Sequence, residues 1–354
     1  MKKNIWFMGG LSSQRDIISG VKNTSELHGN AIQVFASHHQ HRYEILEKAD
    51  VAFIEPSDLD TKMAFIRHIV KAFDIEAIHT GRSCLWFEQH RAAIEGLGVK
   101  LTTGAQCPAT FTLADNKVEY AAYMAQKGLP VVPSIQIASP DELREWLANP
   151  PFDTEKLCIK PVTGIYGMGF WKLDQSISAM DCFDRTDNRV VHPDLYLAAL
   201  ERTEKMQPMV LLMPYLPGPE SSVDMLVEKG KVIAAVARRK EGSVQHLHQS
   251  GAAFELAKSS AELMQADGLV NVQTRCDHHG QPLLLEINLR PSGGIDYTRH
   301  SGVNLPGLFA LRQLDLMSQD EVSSQAVAHF KPVSVRAMTD ALPFPAELQN
   351  LTHF

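Results

Sequence analysis

The sequence predicts a mixed α/β and α+β architecture, with a doubly wound α/β lobe first and lobes built on hairpins and short strands behind it. Up to about residue 100, short apolar runs alternate with helical patterns. Farther along, strand-like runs are separated by single tight turns such as Glu228-Lys229-Gly230. No internal repeat or low-complexity tract interrupts the chain, and 354 residues with 44% hydrophobic content can enclose two or three substantial cores.

In the first lobe, strands are expected over 4–8, 31–36, 51–54 and 77–79, with helices from about residue 12, over 60–73 and over 91–96. Met8-Gly9-Gly10 falls where a first strand turns into a helix, but no GxGxxG follows, so the dinucleotide reading is weak. A helix is expected from Asp115, where Val118, Ala121, Ala122 and Ala125 share a face and Gly128 closes the end. The run LPVVPS then reads as a strand. Ser139 and Glu142, with Pro140 between them, carry the spacing of a capping box and start a second helix. A short strand over 157–160 opens into PVTGIYGMGFW, and 209–216 is apolar and broken by Pro214. The runs 221–227 and 231–237 form an expected antiparallel hairpin, and a helix over 252–266 leads to LVNVQTRC, the turn DHHGQ and LLLEIN.

Bulk properties narrow the partners. A net charge of −7 opposes a general nucleic-acid binder, while leaving room for a local basic pocket. Cys84, Cys107, Cys158, Cys182 and Cys276 form no CxxC pair, which suits a reducing compartment and opposes a zinc or disulfide framework. Only Ile5 to Met8 are continuously apolar near the start, too few for a signal-peptide core, and no run reaches membrane-spanning length. A cytoplasmic protein without nucleic-acid or membrane partners is expected.

The segment LLLEINLRPSGG, 283–294, carries the most pointed chemistry. In an extended strand Glu286, Asn288 and Arg290 share one face, with Leu285, Ile287 and Leu289 on the other. This is either a solvated polar face or a magnesium and phosphate site, since hard cations take oxygen ligands and arginine neutralises phosphate oxygens. Pairing of LVNVQTRC with LLLEIN would add Gln273. The loop after Lys160, with Gly164, Gly167 and Gly169, is either a flexible hairpin or a phosphate cradle, because glycines let backbone amides approach an anion. It is not a Walker loop, as no GKS or GKT occurs. His38-His39-Gln40-His41 has no partner motif and is expected at the surface, and His246 and His248 lie on a segment that could face substrate.

The ordered set Asp115-Asn116-Lys117 before a helix, GLPVVPS, Lys160 before a glycine loop, LLMPYL, GPESSVD, and NVQ thirteen residues before EINLR resembles the ATP-grasp superfamily. The likeness is greatest to the carbamoyl-phosphate synthase large chain, biotin carboxylase and related carboxylate-amine ligases, and covers roughly residues 1 to 310. It implies an N-terminal pre-ATP-grasp domain over 1–110, a small ATP-grasp lobe over 111–212, a lobe with the metal site over 213–318 and a C-terminal extension over 319–354. It further implies that Lys117 and Lys160 meet ATP phosphates under the loop of Gly164, Gly167 and Gly169. Met213, Tyr215 and Leu216 would form the hinge at adenine, and Glu220 would lie near ribose. Gln273, Glu286 and Asn288 would hold Mg2+, two ions in number with Mn2+ as a substitute, and Arg290 would act on the reacting phosphate. Two departures stand out: Leu212-Met213-Pro214 replaces an acidic hinge start, and Gln273 stands where a carboxylate is common.

The run Ala237-Arg238-Arg239-Lys240 is either a solvated turn or a second phosphate contact, and alternation with Val236 favours Arg239 over Arg238. Arg299, with the Ser292-Gly293-Gly294 turn before it, and Arg82 after the fourth strand are the expected substrate-anion contacts. The resulting expectation is a ligase acting on a small carboxylate and an amine, with room for a homodimer. A nucleotide-driven switch module and a bicarbonate-activating carboxylase are the alternatives.

Overall fold

The computed structural model describes residues 2–11, 13–152, 154, 156–164, 168–184, 189–203, 210–339, 341–343 and 347–352. The chain divides into two compact units. Unit 1 comprises Met1–Phe111, Pro219–Thr274 and Ile287–Phe354, and unit 2 comprises Thr112–Gly218 and Arg275–Glu286.

Unit 1 begins with the doubly wound lobe. Strands β1 (Lys3–Met8), β2 (Ile32–His38), β3 (Val51–Ile54), β4 (Ala77–Thr80) and β5 (Lys100–Thr102) form a parallel sheet in the order β3-β2-β1-β4-β5. Both faces of β1 are buried, as expected for a parallel strand covered on each side. Ile5 and Phe7 join one core, with helix α1 (Ser13–Leu27) and helix Leu305–Gln313, whereas Trp6 and Met8 join another with Phe35, Phe53 and Phe65. His38 ends β2 and is only 1% exposed, which corrects the expected surface placement of that histidine. Its Nδ1 meets the backbone of Gln40, folding the HHQH run back over the strand end. The two-residue strand β6 (Gly104–Ala105) closes this part of the chain.

Unit 2 holds a second sheet of β7 (Ile135–Ile137), β8 (Leu157–Pro161), β9 (Trp171–Leu173), β10 (Val190–Val191) and β11 (Val210–Pro214), in the order β10-β9-β8-β11-β7. Helix Lys117–Gln126 starts two residues later than expected, because the Asn116 side chain accepts from the amides of Val118 and Glu119. Asp115 instead ends a preceding helix, Pro108–Asp115. The strand expected at LPVVPS lies just beyond it, at β7, while Val131 makes only an isolated bridge to Leu284. Pro133 supplies no amide to a ladder. Ser139 caps Pro140–Ala148 as expected, but the Glu142 carboxylate turns back to the amide of Ala138 rather than to that of Ser139.

The third sheet contains β12 (Glu220–Glu228), β13 (Lys231–Glu241), β14 (Val244–His248), β15 (Ala266–Cys276), β16 (Pro282–Asn288) and β17 (Val333–Arg336), in the order β16-β15-β12-β13-β14-β17, with β6 beside β15. The expected β12–β13 hairpin is present, extended at both ends. Helix Ala252–Leu263 stops earlier than expected because β15 begins at Ala266. The division between the units runs through β15 and β16, so each strand belongs partly to both.

Candidate active site

In unit 2 the candidate residues gather around the start of the glycine loop. Helix Lys117–Gln126 opens with Lys117, whose Nζ donates to the carbonyls of Val162 at 3.3 Å and Gly164 at 3.1 Å. The same ammonium lies 3.9 Å from the Glu286 carboxylate. Lys117 is nearly buried and the Glu286 side chain is 20% exposed, so this charge pair sits at a partly screened position. Lys160 occupies β8, opposite Leu211 of β11. Gly169 adopts positive φ and packs against the Pro161 ring, whereas Gly167 lies outside the described residues.

Beside that loop is an apolar cluster of Val132, Cys158, Val162, Met213 and Leu216, with Tyr215 packed on it. Its rim is cationic. Lys172 Nζ lies 4.9 Å from the Tyr215 ring centroid and the Arg275 guanidinium 5.3 Å from it. Arg275 also donates to the Leu216 carbonyl at 2.7 Å and to the Tyr215 hydroxyl at 3.3 Å. The amide of Tyr215 is bonded to the Lys156 carbonyl, so of the hinge groups expected at adenine the Leu216 amide keeps no partner among the described residues. Burial pushes the Cys158 thiol up to about 12, against the pull of Lys160, Arg275 and Lys172. That thiol is inert at neutral pH, in keeping with chemistry that uses no cysteine nucleophile.

In unit 1, alternation along three neighbouring strands lines up a polar network that the sequence reading missed. Ser222 and Asp224 of β12, Arg238 of β13 and Asn271 of β15 are all buried. Arg238 donates to Asp224 Oδ2 at 2.7 Å, to Ser222 Oγ at 3.1 Å, to Gln245 Oε1 at 2.6 Å and to Ser292 Oγ at 2.9 Å. Asn271 donates to Ser222 Oγ and Asp224 Oδ1, both at 3.0 Å. The guanidinium fills the space beneath the PSGG turn: a Cβ on Gly294 would fall 2.6 Å from Arg238 Nη1. Arg239, expected as the phosphate contact, is instead exposed on the opposite side of β13 and paired with Glu241. Of the two neighbouring arginines, the buried one is Arg238. The signal for it lay in the period-2 patterns of SSVD and NVQ.

Gln273 lies two residues beyond Asn271 on β15, half-buried, and Asn288 ends the adjacent strand β16. Asn288 Oδ1 accepts from Arg290 Nη2 at 3.2 Å. Glu220 pairs with Lys240, one strand away on β13. The Ser292 hydroxyl already accepts from Arg238 and from the Gly294 amide, so it fixes the turn instead of facing a ligand, and Gly293 is exposed. Arg299, expected to meet substrate, is bound to Asp296 at 2.8 Å within the 3-10 helix Ile295–Ser301. Arg82 is exposed just past β4. His246 Nε2 approaches Glu241 at 3.2 Å.

Asp16 joins the Asp296–Arg299 group. Burial, and then the charge of Asp296, push its carboxyl up to about 6, against Arg15 and Arg299. In the unfolded chain it ionises near 3.8, so between those values the folded protein holds the extra proton and stability falls as pH rises. Asp16→Asn is expected to flatten this fall, as read from urea midpoints between pH 4 and 7; an unchanged pH profile would remove Asp16 as its source.

The overall fold recurs in solved proteins. An L-amino acid ligase from Bacillus licheniformis is 17% identical, with a TM-score of 0.58 over 94% of this chain and 78% of that one. This is an ATP-grasp fold. N5-carboxyaminoimidazole synthetase from Staphylococcus aureus, complexed with ADP, is 11% identical, with a TM-score of 0.61 over 89% of this chain and 78% of that one. Biotin carboxylase from Campylobacter jejuni, in complex with β-γ-ATP, is 14% identical, with a TM-score of 0.60 over 91% and 73%. Residues 206–341, a span that includes β12 to β16, match the family described as "ATP-grasp in the biosynthetic pathway with Ter operon". No curated protein matches the sequence. Among the described residues no helix is long and apolar enough to cross a membrane.

Proposed function

We propose that the protein is an ATP- and magnesium-dependent ligase that activates a carboxylate as an acyl phosphate and passes the acyl group to an amine. The observation that carries this reading is Lys117, held by the carbonyls at the start of the glycine loop and facing the Glu286 carboxylate at 3.9 Å. A lysine fixed at that point neutralises phosphate oxygens, and an acid beside it belongs with a cation. The fold supports the reading, as do the named activities of a similar ligase and a similar carboxylase.

The donor set fits magnesium. Glu286 makes no hydrogen bond among the described residues beyond its distant lysine, and Asn288 Oδ1 accepts only from Arg290. Together with Gln273 on the neighbouring strand these are hard oxygen donors. Magnesium bound there would neutralise phosphate charge and help orient the γ-phosphate. Lys117 and Lys160 hold the phosphates, and the cluster around Met213 and Leu216 receives adenine, with Arg275 setting the Leu216 carbonyl and Tyr215. Glu220 is assigned to ribose.

A carboxylate is a poor electrophile because its leaving group would be oxide. A carboxylate oxygen attacks the γ-phosphorus, the bond to the bridging oxygen breaks and ADP leaves. The amine then attacks the acyl carbon, phosphate leaves and the nitrogen loses a proton. Arg290 stabilises charge on the transferring phosphoryl group, and Arg238 positions the turn that follows it.

Incubation with ATP, magnesium and pooled amino acids, peptides and small acids tests the reading. ADP release stimulated by a carboxylate, with a hydroxamate formed when hydroxylamine replaces the amine, is the expected result. Nucleotide binding with no turnover in any pool would overturn it in favour of a switch module.

A further inference from the structure

The N-terminal sheet ends on β3 at one side and on β5 at the other. Sheet edges carry unpaired backbone groups, and proteins blunt them with charge, proline, a bulge or a covering segment. At β5 the blunting is by charge: exposed Lys100 opens the strand and donates to Asp315 Oδ2 at 2.7 Å and to the Gln313 carbonyl at 2.9 Å. The β3 edge has none of the first three devices. Val51, Ala52, Phe53 and Ile54 are all apolar, and they pair with β2 in unbroken register.

Its cover comes from the other end of the sequence. The Ala52 amide donates to the Asn350 carbonyl and the Ala52 carbonyl accepts from the Thr352 amide, both at 2.8 Å, so Leu351 forms a parallel bridge to Ala52. The Asn350 side-chain amide donates to the carbonyls of Leu46 at 2.9 Å and Ala49 at 2.8 Å, groups left over where the short helix Tyr43–Leu46 ends. Leu348 and Leu351, both half-buried, pack against the core that holds Leu46, Ala49 and Ala52. Strand and cover both belong to unit 1. The seat is small, and a contact of one bridge, one asparagine and two half-buried leucines opens far more readily than a core strand.

We propose that residues 347–352 are a detachable guard over the β3 edge, and that the partner this edge takes when uncovered is the β3 edge of a second copy of the chain. A strand added to a sheet edge is held by main-chain hydrogen bonds, and the side chains decide which strand is accepted. A second β3 offers an outward Ala52 amide and carbonyl of its own, and two copies related by a twofold axis present them antiparallel. No charged residue or proline lies within Val51–Ile54 to oppose that pairing, so the guard alone stands against it. This edge is independent of the ligase reading.

The full chain carrying Asn350→Ala and Leu351→Asp together, which unseats the guard, tests this by two readings. Hydrogen exchange at the Ala52 amide is expected to quicken at least tenfold. Sedimentation equilibrium is expected to show self-association at a concentration at least tenfold lower than for the wild type, reversed by an excess of the peptide Glu347-Leu348-Gln349-Asn350-Leu351-Thr352 and not by a scrambled peptide. Unchanged exchange at Ala52 would show that the segment guards nothing. A freed Ala52 amide with unchanged association, or association that the peptide leaves intact, would overturn the second copy as the partner of this edge. Should the double variant fail to fold by circular dichroism, Asn350→Ala alone decides by the same readings.

Discussion

Arg238→Ala is expected to lower the unfolding free energy by about 3–5 kcal/mol, because it strips a fully buried carboxylate of its charge partner. Asp224 is 0% exposed, and without Arg238 it would keep only the amide of Asn271 at 3.0 Å. Ser222 and Ser292 would each lose one of two donors and Gln245 the donor to its Oε1, so the PSGG turn would loosen as well. Urea unfolding at pH 7 measures the loss. In the double variant Arg238→Ala with Asp224→Ala the cost should be less than the sum of the single costs, since removing both charges leaves neither stranded. Arg239→Ala, one residue on but exposed, should change stability by less than about 0.5 kcal/mol. A loss under about 1 kcal/mol for Arg238→Ala would show that the network is not what holds the turn.

Glu286→Gln should cut turnover by about 10²–10³-fold, the scale of removing a charged group that stabilises a transferring phosphoryl group. The substitution keeps the shape of the side chain and removes the charge facing Lys117. Binding of ADP without magnesium should change by less than about fivefold, roughly 1 kcal/mol, because adenine and hinge contacts are untouched. Steady-state kinetics at several magnesium concentrations distinguish the two effects. Normal turnover in the variant would remove Glu286 from the metal site.

Where side-chain periodicity met a single neighbour, the sequence was readable. The parallel sheet followed from Ile5-Trp6-Phe7-Met8 and its successors, whose unbroken apolar character requires cover on both faces. The β12–β13 hairpin followed from the Lys229-Gly230 turn. Lys117 and Glu286 were each legible, but their approach to 3.9 Å depends on packing between segments nearly 170 residues apart. Arg238 was passed over in favour of Arg239 because alternation identifies two faces of a strand without saying which face is covered. The SSVD and NVQ runs held that information: Ser222, Asp224 and Asn271 are small or short polar residues that accept a guanidinium in a sheet interior. The burial of His79 was not legible, since it depends on Phe309 from the far end of the chain.

Transfer of an oxygen atom tests the central proposal most directly. With the acid that stimulates ADP release labelled with ¹⁸O in its carboxylate, an acyl phosphate pathway places one labelled oxygen in each inorganic phosphate released to the amine, as read by the phosphorus-31 isotope shift. The account predicts that labelled phosphate forms in step with product. Unlabelled phosphate accompanying full product formation would contradict it.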